Sequence, residues 1–268
     1  MQRLKNFFVI DCKKYLSTIE NLYPMKKHRN LITIGLLLSG ITLMYSCMSP
    51  FYKCIRGNNE VVTDSIYPND YYTGIVHEGD MEVIITQDTI NQVIIEAESN
   101  LINYIYAKVK NDYLVIKYRD NRCIRENYPV KVYVKATEIN YINLTGSGNI
   151  QTDSITGNQL EIELSGSGDI NSIANVDYVD AKITGSGNIN LNGSCEETDF
   201  DIIGSGNINA FDLDQNKCFT RIAGSGDMRV NVSEFLDINI TGSGDIYYLG
   251  NPDLSVNITG TGSVISYN

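Results

Sequence analysis

A tripeptide, Gly-Ser-Gly, returns through the second half of this 268-residue chain at nearly constant intervals. Its copies begin at Gly146, Gly166, Gly185, Gly204, Gly224, Gly242 and, as Gly-Thr-Gly, at Gly260, with spacings of 20, 19, 19, 20, 18 and 18 residues. Such a period is the signature of a solenoid, in which each unit is too small to bury its own apolar side and must stack on its neighbours. Aligning the units on the first glycine lines up the core. Two residues before it stand Leu144, Leu164, Ile183, Ile202, Ile222, Ile240 and Ile258. Four before it stand Ile142, Ile162, Ala181, Phe200, Thr220, Ile238 and Val256, and four after it Ile150, Ile170, Ile189, Ile208, Met228, Ile246 and Val264. Polar residues such as Glu163, Lys182, Asp201 and Arg221 lie between them. This is period-two alternation, with one face buried and the other wet.

Each unit therefore predicts a strand, a glycine corner with backbone angles closed to other residues, a second short strand and a variable return. Stacked coils place equivalent residues about 4.8 Å apart. The expected fold is all-β, a parallel β-helix of about seven Gly-Ser-Gly coils. The general preference of parallel crossovers makes it right-handed. Before the repeats, Met81–Gln87, Gln92–Glu98, Ile105–Lys110, Tyr113–Tyr118 and Val130–Ala136 are strand-like, and Asn111-Asp112 reads as a hairpin turn. This region is expected to cap the first coil, as solenoids require.

Charge and the N-terminus bound the location. The net charge is −11, yet residues 1–46 hold seven Lys/Arg and two acids, so the remainder carries 14 basic and 30 acidic residues. Such a body repels phosphate backbones, and no nucleic-acid partner is expected. Met25-Lys26-Lys27-His28-Arg29 precedes an apolar run from Leu31 to Tyr45. That run is short for a membrane span of about 20 residues and fits a secretory leader. It ends in Leu43-Met44-Tyr45-Ser46-Cys47, which resembles a bacterial lipobox. Cys47 is accordingly expected to carry a lipid and to become the mature N-terminus. The reading divides the chain into a leader and lipoprotein signal peptide over 1–46 (with translation starting at Met25), a tether over 47–64 and a β-solenoid domain over 65–268. Within that domain, 65–140 forms the N-terminal strands and 141–268 the repeats. The predicted location is the bacterial envelope, lipid-anchored to the outer membrane and facing periplasm or exterior. In that oxidising compartment the pairing of Cys54, Cys123 and Cys195 stays open, while Cys218 falls at an inward position and is expected as a free buried thiol.

Catalytic patterns are missing. The two histidines are His28, in the leader, and His77, expected at the surface; no GxSxG, HExxH, P-loop or Cys/His metal spacing occurs. No catalytic residue, cofactor or metal is expected. The column Asn149, Asp169, Asn188, Asn207, Asp227, Asp245 reads as a ladder of turn-bonding side chains, with Ca²⁺ between Asp227 and Asp245 as the competing idea. Thr145, Ser165, Thr184, Thr241 and Thr259 form a second column, interrupted by Ile203 and Ala223. Outward acids such as Glu161, Glu163, Asp180 and Asp201 read as solvated strand faces. The expected function is a non-catalytic surface module binding glycan or protein. The competing class is a carbohydrate-active β-helix enzyme, a polysaccharide lyase or hydrolase. In the last coil, Val264-Ile265 would leave an unpaired edge, which predicts weak self-association of two molecules unless a strand from 65–140 covers it.

The lipoprotein-type leader, the strand-rich lead-in and the tandem units, most directly Gly148-Asn149-Ile150, Gly187-Asn188-Ile189 and Gly206-Asn207-Ile208, resemble the putative auto-transporter adhesin, head GIN domain family over about residues 70–266. The resemblance implies a β-helical fold and an envelope location, and it brings no catalytic residues.

Overall fold

The computed structural model describes residues 54–119 and 122–267. The leader, the Met25 start and the lipidation site Cys47 lie outside the described residues. In chain order the strands are β1 (Ile55–Arg56), β2 (Val61–Ile66), β3 (Gly74–Gly79), β4 (Glu82–Gln87), β5 (Gln92–Glu98), β6 (Ile105–Lys110), β7 (Tyr113–Tyr118), β8 (Ile124–Arg125) and β9 (Lys131–Ala136). The repeats follow as β10 (Tyr141–Gly146), β11 (Asn149–Gly166), β12 (Asp169–Gly185), β13 (Asn188–Gly204), β14 (Asn207–Gly224), β15 (Met228–Gly242), β16 (Ile246–Leu249), β17 (Asp253–Gly260) and β18 (Val264–Ser266). A single 3-10 turn, Ile102–Tyr104, is the one helical element among the described residues. No helix there is long and apolar enough to cross a membrane.

The chain is a β-solenoid, as the repeat predicts. From β10 to β15 each strand pairs in parallel with the next, and β15 then pairs with β16 and β17. The register superimposes the columns: Leu144, Leu164, Ile183, Ile202, Ile222, Ile240 and Ile258 are successive partners. From Leu144 to Ile240 all of these are buried. Cys218 is buried and free, as its inward position implies, and burial pushes its thiol up to about 12.

The corners explain the tripeptide. The carbonyl of the first glycine accepts N–H bonds from the next coil, two of them at Gly146, Gly166, Gly185 and Gly242. Gly166 O takes Ser186 N–H at 2.8 Å and Gly187 N–H at 3.2 Å; Gly185 O takes Ser205 N–H at 2.8 Å and Gly206 N–H at 3.1 Å. At Gly204 the backbone sits at φ +132°, and a Cβ there would stand 2.3 Å from Gly185 O. Torsion and space each demand glycine.

An earlier coil, not visible as a repeat, underlies the first Gly-Ser-Gly unit. β3 pairs with β10 so that Gly79 meets Gly146, and β4 pairs with β11 so that Val83 meets Ile150. Gly79-Asp80-Met81-Glu82-Val83 is thus a corner of the same length, with Gly79 at φ +139°. Beneath it β7 and β9 still run parallel to β3 and β4. Then the direction reverses. β6 returns antiparallel to β7 through Asn111-Asp112, at φ 51° and 64°, the left-handed pair of a type I′ hairpin. β5 lies antiparallel to β9, and β2 to β5. This reversal ends the parallel stack and closes the core over Ile75, Val83, Leu114 and Val132, all buried.

The opposite end differs. Leu254, Val256 and Ile258 are 44%, 48% and 37% exposed, although their partners one coil earlier, Leu236, Ile238 and Ile240, are buried. Among the described residues no strand pairs with the far edge of β17 or β18. The strands of 65–140 all sit at the first coil, so none of them covers the last.

Two expectations are corrected. The tether predicted over 47–64 does not extend to residue 64, because the chain from Cys54 onward belongs to the fold. Cys54 forms a disulfide with Cys123, β1 pairs with β8, and β2 pairs with β5. The linking turn wraps a buried carboxylate: Glu98 accepts from Asn59 N–H at 2.6 Å, Asn127 N–H at 2.8 Å and Asn127 Nδ2 at 3.0 Å. Burial alone would push Glu98 up, but these donors outweigh it and hold the carboxyl below its ordinary value.

His77 is the second correction: it is buried, not a surface imidazole. It occupies the column that Leu144 fills in the next coil. Its ring nitrogens lie 3.1 Å from Met81 O and 3.3 Å from Ile116 O, so the ring braces a corner that lacks the second glycine. Gly148 makes room for it, since a Cβ there would stand 2.6 Å from Nε2. Burial lowers the His77 pKa, against the opposing pull of the two carbonyls, Asp80 and Glu78. The unfolded chain therefore takes up a proton first, and stability is lost as pH falls through about 6.5 toward the folded value. Thermal melts of wild type should drop between pH 7.5 and 5.5, and His77→Gln should flatten that drop. Parallel curves for the two proteins would show that His77 does not carry it.

Candidate binding surface

The wet faces of the coils are ladders in which side chains bond to their equivalents one coil away. At the corner, Asn188 Nδ2 donates to Asp169 Oδ1 at 2.8 Å and Asn207 Nδ2 to Asn188 Oδ1 at 2.9 Å. Where the column changes to Asp, the oxygen takes the next backbone amide instead. Asp227 Oδ1 accepts Asp245 N–H at 2.9 Å, and Asp245 Oδ1 accepts Ser263 N–H at 2.8 Å. The ladder reading of this column thus describes it. Asp227 and Asp245 each spend an oxygen on the turn, and among the described residues no group of three or more His, Cys, Asp or Glu side chains is placed to hold a metal ion.

Two residues further on, a second amide ladder runs parallel to the first. Asn190 Nδ2 donates to Asn171 Oδ1 and Asn209 Nδ2 to Asn190 Oδ1, both at 2.8 Å, and Arg229 Nη1 donates to Asn209 Oδ1 at 3.0 Å. The column Thr145, Ser165, Thr184, Ile203, Ala223, Thr241, Thr259 is exposed throughout.

The acids of the preceding strand face are laterally engaged as well. Glu163 accepts from Tyr141 Oη at 2.6 Å and Asn143 Nδ2 at 3.0 Å. Arg221 bridges Asp201 at 2.7 Å and Asp199 at 3.2 Å. Partial burial and the crowding of neighbouring acids raise the pKa of Glu161 and Asp180. At the return corner an open hollow of about 420 Å³ is lined by Asp177, Glu196, Glu197, Lys217 and Glu234, among others. Cys195, near this corner, is a free thiol raised to about 12 by burial, so it is a poor nucleophile.

An aromatic cluster escaped the sequence reading. Phe211 and Tyr267 have ring centroids 5.6 Å apart, Tyr247 and Tyr267 6.5 Å, and the Arg229 guanidinium lies 5.1 Å from the Tyr247 centroid.

Polar ladders over a stacked-coil core define a repetitive β-solenoid. A family model, "Putative auto-transporter adhesin, head GIN domain", matches residues 71–252, and the chain belongs to that family. Membership brings an adhesin-like role and a place in the cell envelope or at the cell surface. Among solved structures, a "putative lipid binding protein" from Parabacteroides distasonis is similar at 28% identity and a TM-score of 0.69, covering 81% of this chain and 100% of its own. A "putative adhesin" from Bacteroides fragilis shares the fold at 23% identity and a TM-score of 0.75, over 79% of this chain and 99% of that one. Another from Parabacteroides merdae shares it at 21% identity and 0.66, over 80% and 99%. No curated protein matches the chain.

Proposed function

We propose that the protein is a non-catalytic binding module of the outer membrane, held by a lipid on Cys47 and engaging glycan or protein ligands through its repetitive faces. The observation that carries this reading is the lateral bonding of the ladders. Side chains tied to their neighbours are already ordered, so a ligand meets fixed donors and acceptors without the entropic cost of arranging them. Bonds of the same kind engage Glu163, Asp199 and Asp201, three of the outward carboxylates that a lyase or hydrolase could use as acid or base. Full-length protein on an array of bacterial and host glycans should bind without releasing product. Turnover, seen as unsaturated or reducing sugar ends, would sink the reading. For the anchor, Cys47→Ser should move the protein from the membrane to the soluble fraction of cells; equal membrane fractions would remove Cys47 from the role.

The reading includes weak pairing of two copies through the last coil. β17 and β18 present backbone groups unpaired within the described chain, beside half-exposed Leu254, Val256 and Ile258. From Asp253 to Tyr267 the only charged side chain is Asp253. The charges that usually guard an edge strand are thus nearly absent, and two acidic molecules meet there with little repulsion. Light scattering should show a dimer growing with concentration, and Val256→Lys should weaken it. A monomer at high micromolar concentration would end the proposal.

A further inference from the structure

We propose that the outer face of the last coils, formed by Asn190, Asn209, Phe211, Arg229, Tyr247 and Tyr267, is a binding subsite for a neutral saccharide. This rests on the function proposed above and assigns it a place. The site is assembled by an irregularity. β14 and β15 pair in register to Ala210 and Val230, then skip so that Asp214 meets Asn231. Phe211, in the skipped stretch, leaves the regular column and reaches Tyr267, three corners further along the chain. Tyr267 is 64% exposed, and Ile265, 37% exposed, pairs with Tyr247 beside it.

The ring cluster adjoins the end of an amide ladder. Arg229 joins the two, donating to Asn209 Oδ1 while lying over Tyr247. An asparagine amide has two N–H donors and two acceptor lone pairs. In the ladder Asn209 uses one N–H toward Asn190 and accepts from Arg229. The second N–H and the second lone pair form a donor–acceptor couple on the wet face, repeated about every 4.8 Å along the stack. Pyranosides present the complementary surface: C–H faces that stack on aromatic rings, and neighbouring hydroxyls that both give and accept hydrogen bonds. A ring that stacks one sugar beside amides that bond the next suits an oligosaccharide lying along the coils.

Charge selects among ligands. Asp227 and Asp245 stand two residues before Arg229 and Tyr247 on the same face, and Arg229 is already engaged. An anionic sugar or phosphate would meet two carboxylates and one committed guanidinium, whereas a neutral sugar meets no such penalty.

The test uses full-length protein and a panel of neutral manno-, xylo-, gluco- and N-acetylglucosamine oligosaccharides, with phosphatidylglycerol and phosphatidylethanolamine vesicles as a second arm. Binding is followed by calorimetry and by NMR of the tyrosine rings. At least one oligosaccharide should bind and shift the ring signals of Tyr267. Tyr267→Ala and Phe211→Ala should each weaken it at least tenfold. Tyr71→Ala, which removes an exposed ring near the capped end, should leave affinity unchanged. Melting curves establish that all three variants are folded. Binding that survives both Tyr267→Ala and Phe211→Ala would overturn this site while leaving the glycan-binding reading intact. No binding by any saccharide on the panel, or binding to vesicles alone, would overturn the subsite, and the wider glycan array would then decide the reading beneath it.

Discussion

Gly204→Ala should destabilise the protein by about 2–6 kcal/mol or prevent it from folding. The φ of +132° is a region that L side chains rarely adopt, and holding a non-glycine residue in such a region costs roughly 1–3 kcal/mol. The added methyl would also stand 2.3 Å from Gly185 O, a carbonyl fixed by two N–H bonds from the Gly204 corner itself. Overpacking of this kind adds roughly 1–3 kcal/mol. The damage should cross to the neighbouring coil, because relieving the clash breaks the bonds from Ser205 and Gly206. The control is one residue away. Ser205 is exposed, and Ser205→Ala should change stability by no more than about 0.5 kcal/mol. Urea melts of the two variants decide the matter: similar midpoints would mean that the corner is not the constraint described here.

Ile202→Ala is expected to cost about 2–5 kcal/mol, the range for deleting a buried aliphatic side chain that its surroundings cannot refill. Ile202 is buried between Ile183 and Ile222 in one column. Those neighbours are held by main-chain pairing on both sides, so the gap should not collapse. Lys182→Ala, on the wet face of the adjacent coil, should stay within about 0.5 kcal/mol. A small effect at Ile202, or an equal one at Lys182, would show that the inward register is wrong.

What the sequence made legible follows from repetition. Ile183, Ile202 and Ile222 identify a core column because the same spacing recurs unit after unit, and the glycine corners fix the phase. The preceding coil was hidden because Asp80, Met81 and Glu82 replace the Ser-Gly-Asn of the later corners. Only Gly79, whose conformation the turn needs, keeps its place. His77 misled for a related reason. An imidazole in a column of Leu and Ile looks like an interruption, and its two carbonyl partners come from Met81 and from β7, a strand no periodicity links to it. Cys54 and Cys123 lie in segments without repeat, so nothing in their spacing joined them. The proposed saccharide subsite depends on a bulge that carries Phe211 to Tyr267, 56 positions along the chain. A pattern search that assumes regular coils removes such a feature by construction.

The superposition of corners also makes length a separable property of this molecule. Gly185 and Gly204 are equivalent points one circuit apart. Excising residues 185–203 would rejoin Thr184 to Gly204 with the inward and outward phases preserved, and duplicating them would do the same. An interior circuit packs mainly on the one before and the one after, as in repeat proteins generally, the contact of Phe211 with Tyr267 being the long-range exception. A gene encoding such a chain can therefore lengthen or shorten its product by whole circuits while both ends stay as they are, setting how far its last face stands from the capped end without redesigning either.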